Sequence, residues 1–158
     1  MNIETWTNRL VRVLEGELAR WQERISFNSV RALALDCQPW LENALVLSAL
    51  TDKETYDEPK LGKWSVADWR LYNFPKDKTG RWSAGAVLST EAFEYYAAAI
   101  RTGTQAACHA ELLDACCKAM KSPDVSAVLR RYRLSEDFER FVGHSNAAGR
   151  NFYRAWNG

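Results

Sequence analysis

Apolar residues recur at steps of three and four along the first 25 residues, and the series is Trp6, Leu10, Val13, Leu14, Leu18, Trp21 and Ile25. This spacing places them on one face of an α-helix and leaves the charged residues largely on the opposite face. Asn2 or Thr5 can cap the first turn, because a short polar side chain accepts a hydrogen bond from the unpaired backbone N–H groups there. The pattern predicts a helix that ends near Ile25.

Two short apolar runs follow, at residues 30–36 (VRALALD) and 44–50 (ALVLSAL). Their length is typical of strands, and the intervening CQPWLEN contains Pro39 and Asn43, which favour turns. We therefore predict an antiparallel pair of strands. Both runs are almost continuously apolar, which indicates that both faces of the sheet are covered.

The middle of the chain is less regular. Residues 51–61 (TDKETYDEPKL) are polar and acidic, which is typical of a loop or a strand extension. In the next segment, KWSVADWRLYNF, Ser65 and Asp68 have the spacing of a helix-start box. The same segment could instead form a third strand at residues 69–73. Pro75 ends either structure.

The second half of the chain is predicted to be helical. Ser89 or Thr90 is placed to cap a helix over residues 91–101, and Gly103 separates it from a second helix over residues 105–121. Within that second helix, Cys108 or His109, Leu112, Cys116 and Met120 form an apolar stripe.

Three further signals follow towards the end of the chain. Ser122 and Pro123 restart the helix, since proline suits the first helical position. Ser135 opens another short segment that runs through Phe138 and beyond, and residues 151–156 (NFYRAW) form either a helix or an edge strand.

These elements predict an α+β fold in one domain over residues 1–158. We expect a small antiparallel sheet of two to four strands, packed by the N-terminal amphipathic helix and the helical C-terminal half.

The composition is that of an ordinary globular protein, with 158 residues, 47% hydrophobic residues and a net charge of +1. A net charge this small produces no overall electrostatic attraction to nucleic acid or to a membrane surface. No apolar run reaches the ~20 residues of a membrane span, and the first residues lack the apolar core of a signal peptide. We therefore expect a cytoplasmic protein without a membrane partner, in which the four cysteines are free thiols.

The most enzyme-like feature is the group formed by Cys108, His109, Cys116 and Cys117, which could supply a nucleophile or zinc ligands. It lies inside an alanine- and leucine-rich helix, where buried thiols are the simpler interpretation. The sequence lacks the G-x-S-x-G, Walker, G-x-G-x-x-G and H-E-x-x-H motifs. We expect neither catalytic residues nor a metal or other cofactor.

Charge is distributed in blocks, acidic over residues 26–59 and basic over residues 60–81 and 118–154. The acidic loop beside Trp64 and Trp69 could attract a basic partner. An alternative is a phosphate-binding surface in the C-terminal third, built from Arg130, Arg131, Arg133, Arg140, Arg150 and Arg154.

The order of elements and the stretch WSVADW (residues 64–69) resemble a bacterial family catalogued as a domain of unknown function and associated with toxin-immunity loci. Members of that family have an alanine- and leucine-rich strand and a W-S-x-x-[DE]-W stretch, and the resemblance covers residues 1–74. It implies an immunity protein, a small cytoplasmic inhibitor that binds one cognate protein toxin and blocks it.

The residues that combine charge with aromatic anchors are the expected contact surface for such a partner, namely Asp52, Glu54, Asp57, Glu58, Trp64 and Asp68. The competing hypotheses are a nucleic-acid-associated protein that uses the arginines and, less favoured, a Cys/His enzyme.

Overall fold

Five helices and three strands make up the computed structural model, which describes residues 1–25, 27–53, 66–78, 80, 82–144 and 150–156. The helices are α1 (Ile3–Ile25), α2 (Ala86–Thr102), α3 (Gln105–Lys121), α4 (Pro123–Leu129) and α5 (Phe152–Ala155). The strands are β1 (Val30–Cys37), β2 (Leu45–Thr51) and β3 (Leu134–Gly143). The predicted α+β class is confirmed. No helix in these described ranges is both long enough and apolar enough to cross a bilayer.

Helix α1 matches its prediction. The Oδ1 of Asn2 accepts a hydrogen bond from the backbone N–H of Thr5 at 2.9 Å, so Asn2 caps the first turn. Most of the predicted stripe is buried, and Val13 and Trp21 pack at its margin. The indole N–H of Trp6 donates to the carbonyl of Leu88 at 3.1 Å, which ties α1 to α2.

The strands form one sheet in the order β2-β1-β3. β1 and β2 are antiparallel, from Cys37 opposite Leu45 to Val30 opposite Thr51, as predicted. Every residue of β2 is buried, and so is every residue of β1 except Arg31. This confirms that both faces of the sheet are covered.

Strand β3 corrects two expectations. It lies parallel to β1, so the sheet is mixed and not antiparallel throughout. It also occupies the short segment expected after Ser135, within the half of the chain that was expected to be helical, and the hydroxyl of Ser135 donates to the carbonyl of Val30 at 3.2 Å. Parallel strands need a long crossover, here α2 to α4, so local sequence signals cannot reveal this pairing.

The segment after the undescribed residues 54–65 covers one face of the sheet. Its side chains Val66 and Trp69 pack in a cluster with Ala32, Ala34, Leu50 and Phe141. The possible third strand at residues 69–73 is a turn, with a bridge between Leu71 and Ala49. The opposite face packs against the helices, in a core that includes Leu35, Leu47, Leu112 and Met120.

The helices of the second half differ from the prediction at one boundary. α2 begins at Ala86, before Ser89, because the Ser89 hydroxyl is buried and accepts a hydrogen bond from the N–H of Leu45 at 3.2 Å. α3 spans the predicted residues, and the hydroxyl of Ser122 caps α4 by accepting from the N–H of Val125. Residues 152–155 are helical, which settles the alternatives left open for that segment.

Candidate functional site

The six predicted contact residues fall mostly outside the described part of the chain. Glu54, Asp57, Glu58 and Trp64 lie among the undescribed residues, and Asp68 is described only by its backbone, in the short 3-10 turn Val66–Asp68. Asp52 is the member whose side chain can be placed. It is exposed directly after β2, and its N–H donates to the carbonyl of Ser29 at 3.0 Å.

Sequence reasoning missed Phe27, which lies in the turn between α1 and β1. Its side chain is 84% exposed, more than any other large hydrophobic residue that the structure describes. Phe27 is two residues before Ser29, whose carbonyl accepts the hydrogen bond from Asp52, so these two exposed residues lie on backbone segments that meet at the same end of the sheet. The sequence indicates this exposure only weakly. The break in the apolar pattern at residues 26–29 identifies a turn but not which of its side chains are exposed.

The tryptophans do not supply such an anchor within the described ranges. Trp6, Trp69 and Trp82 are buried, and Trp21, Trp40 and Trp156 are partly buried. Large aromatic side chains outside a core are enriched at protein-binding hot spots. Phe27 is therefore the described residue that best fits the role expected of a tryptophan.

The predicted arginine surface is divided by the fold. Arg130, Arg131 and Arg133 are exposed in the turn between α4 and β3. Arg140 faces inwards, where its guanidinium donates to the carbonyl of Met120 at 2.6 Å and to the hydroxyl of Ser126 at 3.0 Å. It satisfies carbonyl groups near the end of α3 and is thus committed to the protein.

The two remaining arginines of that set also have partners within the chain. The Arg150 guanidinium lies over the ring of Phe152, 4.6 Å from its centroid. Arg154 is 3.9 Å from a carboxylate oxygen of Glu139. Arg140 is therefore withdrawn from the predicted phosphate-binding surface, whereas Arg130, Arg131 and Arg133 remain exposed together.

Those three exposed arginines share an edge with Phe27 and Asp52. The N–H of Val30 donates to the carbonyl of Arg133 at 2.8 Å, and Val30 is paired with Thr51 in the sheet. We call this edge the amino-end surface, defined by Phe27, Asp52, Arg130, Arg131 and Arg133. It combines an aromatic side chain with charges of both signs.

The four thiols are buried at the other end of the fold and along α3. Burial raises the pKa of Cys108 to about 11 and the pKa of Cys117 to about 12. A hydrogen bond with the Cys37 side chain, together with burial, raises the pKa of Cys116 well above its usual value. Because the thiolate is the reactive form, these thiols are poor nucleophiles at neutral pH.

A surface groove of about 520 Å³ between α2 and α3 includes Cys108 and Glu111. Its other lining residues are Tyr95, Ala98, Ala99, Thr102, Thr104 and Ala107, so an imidazole does not join the thiol and the carboxylate in this groove. The described residues also contain no group of three or more His, Cys, Asp or Glu side chains arranged to hold a metal ion.

The fold nevertheless brings together His109 and His144, which the sequence did not connect. β1 and β3 are parallel, so their carboxyl ends meet at one edge, with Asp36 opposite Gly143. His144 follows Gly143 directly, and its ring centroid is 4.7 Å from that of His109 on α3. Trp40 contacts both imidazoles, at 5.2 Å from His109 and 5.4 Å from His144.

Electrostatics at this carboxyl end favour uncharged groups. Burial, followed by the neighbouring His144, lowers the pKa of His109, and burial followed by Arg150 lowers the pKa of His144. Burial also raises the pKa of Asp36 from 3.8 to about 7. Each of these groups is thereby shifted towards its neutral form.

Comparison of this chain with family models, with curated proteins and with solved structures gives no match in any of the three.

Proposed function

We propose that this chain is an immunity protein, which binds one cognate bacterial toxin in the cytoplasm and blocks it by direct protein contact. The observation that supports this most strongly is the exposure of Phe27, at 84%, in a turn at the end of a buried sheet. Exposing an aromatic ring to water has no benefit for folding, since burial of apolar surface is the favourable process. Contact with a partner protein would bury it.

The anchoring of this surface is consistent with the proposal. Ser29 and Asp52 are joined by a backbone hydrogen bond, and the flanking strands are almost entirely buried. A surface held by a packed sheet loses little conformational entropy on binding, so more of its contact energy remains as affinity.

The chemistry of the buried groups is also consistent with binding. The raised pKa values of Cys108, Cys116 and Cys117 keep these thiols protonated, and Cys108, which lines the groove, is only 5% exposed. A binding protein requires no activated nucleophile, whereas a Cys/His enzyme requires one with a lowered pKa.

The test is co-expression of this chain with the product of the adjacent toxin gene, followed by co-purification and measurement of Kd. We expect a complex at micromolar concentration or below. Phe27→Ala should weaken it by about 2 kcal/mol or more, roughly 30-fold, as is typical of an aromatic hot spot. Absence of a complex at micromolar concentrations would reject the proposal.

Val87→Ala provides a matched control, because Val87 is also exposed, at 59%. It lies on α2 two residues before Ser89, which binds the backbone of Leu45 at the opposite end of β2 from Asp52. This variant removes exposed apolar area away from the amino-end surface, so the Kd should not change. An equal loss for both variants would show that binding does not depend on this surface.

Nucleic-acid binding is the second candidate, and one observation favours it: Arg130, Arg131 and Arg133 remain exposed together on the amino-end surface. Binding to RNA or DNA through these residues would weaken steeply with salt, because phosphate contacts release counterions. Replacement of all three by alanine should then abolish it, whereas the toxin complex should depend mainly on Phe27.

A further inference from the structure

The sequence has two histidines, His109 and His144, and they meet near the carboxyl end of β1. They come from different elements, α3 and the residue after β3. Their ring centroids are 4.7 Å apart and their ring planes are inclined by 63°. Any property of the protein that requires imidazole must therefore arise at this pair.

One nitrogen of the His109 ring is left without a partner. Its Nε2 is buried and has no hydrogen-bond partner among the described residues. In the tautomer that carries the proton on Nδ1, the Nε2 lone pair can bind a metal ion.

The second ring provides a similar atom. The Nδ1 of His144 is also buried and without a hydrogen-bond partner in the described ranges. A buried polar atom left unpaired is costly and calls for an explanation, such as an ion or a water that the atom binds. Two such imidazole nitrogens on neighbouring rings point to a shared ligand.

Aromatic side chains hold both rings in place. Trp40 packs edge-on against each imidazole, and Phe152 stacks on His144 with centroids 5.5 Å apart and planes inclined by 29°. Tyr96 lies 6.3 Å from His109. The neutral imidazole is the form that binds a metal.

We infer that the Nε2 of His109 and the Nδ1 of His144 together bind one divalent transition-metal ion, such as Zn²⁺ or Cu²⁺. Imidazole nitrogens suit zinc, copper and nickel, whereas magnesium and calcium prefer oxygen. With Zn–N distances of ~2.0–2.1 Å, two imidazoles on a tetrahedral ion have centroids roughly 5 Å apart. The observed separation of 4.7 Å is close to that value.

The described residues offer no group of three protein ligands, so the inferred site has two protein ligands and the ion should bind reversibly. The ion would join α3 to the end of β3, which are far apart in sequence. Binding to the folded state alone would then stabilise the protein. This inference does not depend on the proposed toxin complex.

Isothermal titration of the full chain with ZnCl₂, and separately with CuCl₂, tests the site. We expect one ion per chain and a rise in Tm when the ion is present. His144→Phe keeps an aromatic ring against Trp40 and Phe152 but removes both nitrogens. It should weaken binding by at least ~10-fold, since even changes to the groups around a ligand cost ~10–100-fold.

Cys108→Ala is the control for binding by thiols, and its affinity should equal that of the wild type. Unchanged affinity in His144→Phe would overturn the inference, as would the absence of binding by the wild type, in which case the two nitrogens bind water only. If His144→Phe does not fold, an NMR measurement on the wild-type protein tests the inference instead. Substoichiometric Cu²⁺ should broaden the NMR signals of both imidazoles, and broadening of one or neither would overturn the inference.

Discussion

The two ends of strand β1 differ in which side chains are exposed to solvent and which are buried. At the amino end, the aromatic ring of Phe27 and the carboxylate of Asp52 are both exposed. At the carboxyl end, Asp36 is buried, and the half-buried His109 and His144 pack against aromatic rings. Both departures from an ordinary surface and core cost free energy. We propose a partner protein for one end and a metal ion for the other, and four measurements test the comparison between the two ends.

The largest expected difference concerns burial. Leu35→Ala, at a fully buried position near the carboxyl end, should reduce the free energy of unfolding by about 2–5 kcal/mol, because it leaves a cavity. Phe27→Ala should change it by no more than about 0.5 kcal/mol, since its ring is already in water. Urea denaturation monitored by tryptophan fluorescence measures both. A large loss of stability in Phe27→Ala would mean that the ring contributes to folding and is not reserved for a partner.

The next prediction concerns pH. The pKa of Asp36 is raised from 3.8 to about 7, so between these values the folded chain keeps a proton that the unfolded chain has lost. The contribution of this group to stability therefore falls as pH rises from about 4 to about 7. Asp36→Asn should remove that fall and stabilise the protein above about pH 7 by ~4 kcal/mol, while matching the wild type near pH 4.

Unfolding free energies measured across this pH range, with Asp52→Asn as the control, test the assignment. The Asp52 carboxylate is exposed at the amino end, so that variant should follow the wild type. Parallel curves for Asp36→Asn and the wild type would contradict the burial of an ionisable group at the carboxyl end.

Thiol reactivity gives a third comparison. The pKa of Cys108 is raised from 9.0 to about 11, so it forms roughly 100-fold less thiolate than an ordinary cysteine. The variant Phe27→Cys places a thiol where the native side chain is 84% exposed. Its reaction with a disulfide reagent should be at least ~100-fold faster than that of the native thiols. Equal rates in the folded state, before denaturant is added, would show that the native thiols are accessible.

The smallest effect is expected for an ion pair near the amino-end surface. Arg31 and Asp137 approach to 3.6 Å, and the Asp137 side chain is 55% exposed. Exposed pairs contribute little because water screens them, so a double-mutant cycle with alanine should give a coupling of ~0.5 kcal/mol or less. A coupling well above ~1 kcal/mol would mean that charge at this end stabilises the fold.

Several elements could be predicted from local sequence. The 3.6-residue period and the Asn2 cap predicted α1, and the stripe through Leu112 and Met120 predicted α3 with its observed ends. Ser122 followed by Pro123 predicted the start of α4. These signals lie within a few residues of the structure they determine, so they can be recognised without knowledge of the fold.

The proposed contact surface was anticipated only in part. Asp52 was among the predicted contact residues because of its charge, but Phe27 was not, because an aromatic residue in a turn can equally fold back onto the core. Ser135 marked the start of a segment but not its type, since its hydroxyl bonds to a neighbouring strand.

By itself, the sequence determined the class of fold, the helical periods, the antiparallel pair and the absence of familiar catalytic motifs. Tertiary structure alone decided that β3 lies parallel to β1 and that His109 meets His144 beside Trp40. The physical reason is distance along the chain. Parallel pairing across three helices juxtaposes residues whose local sequences carry no information about each other, and burial at that junction sets their protonation.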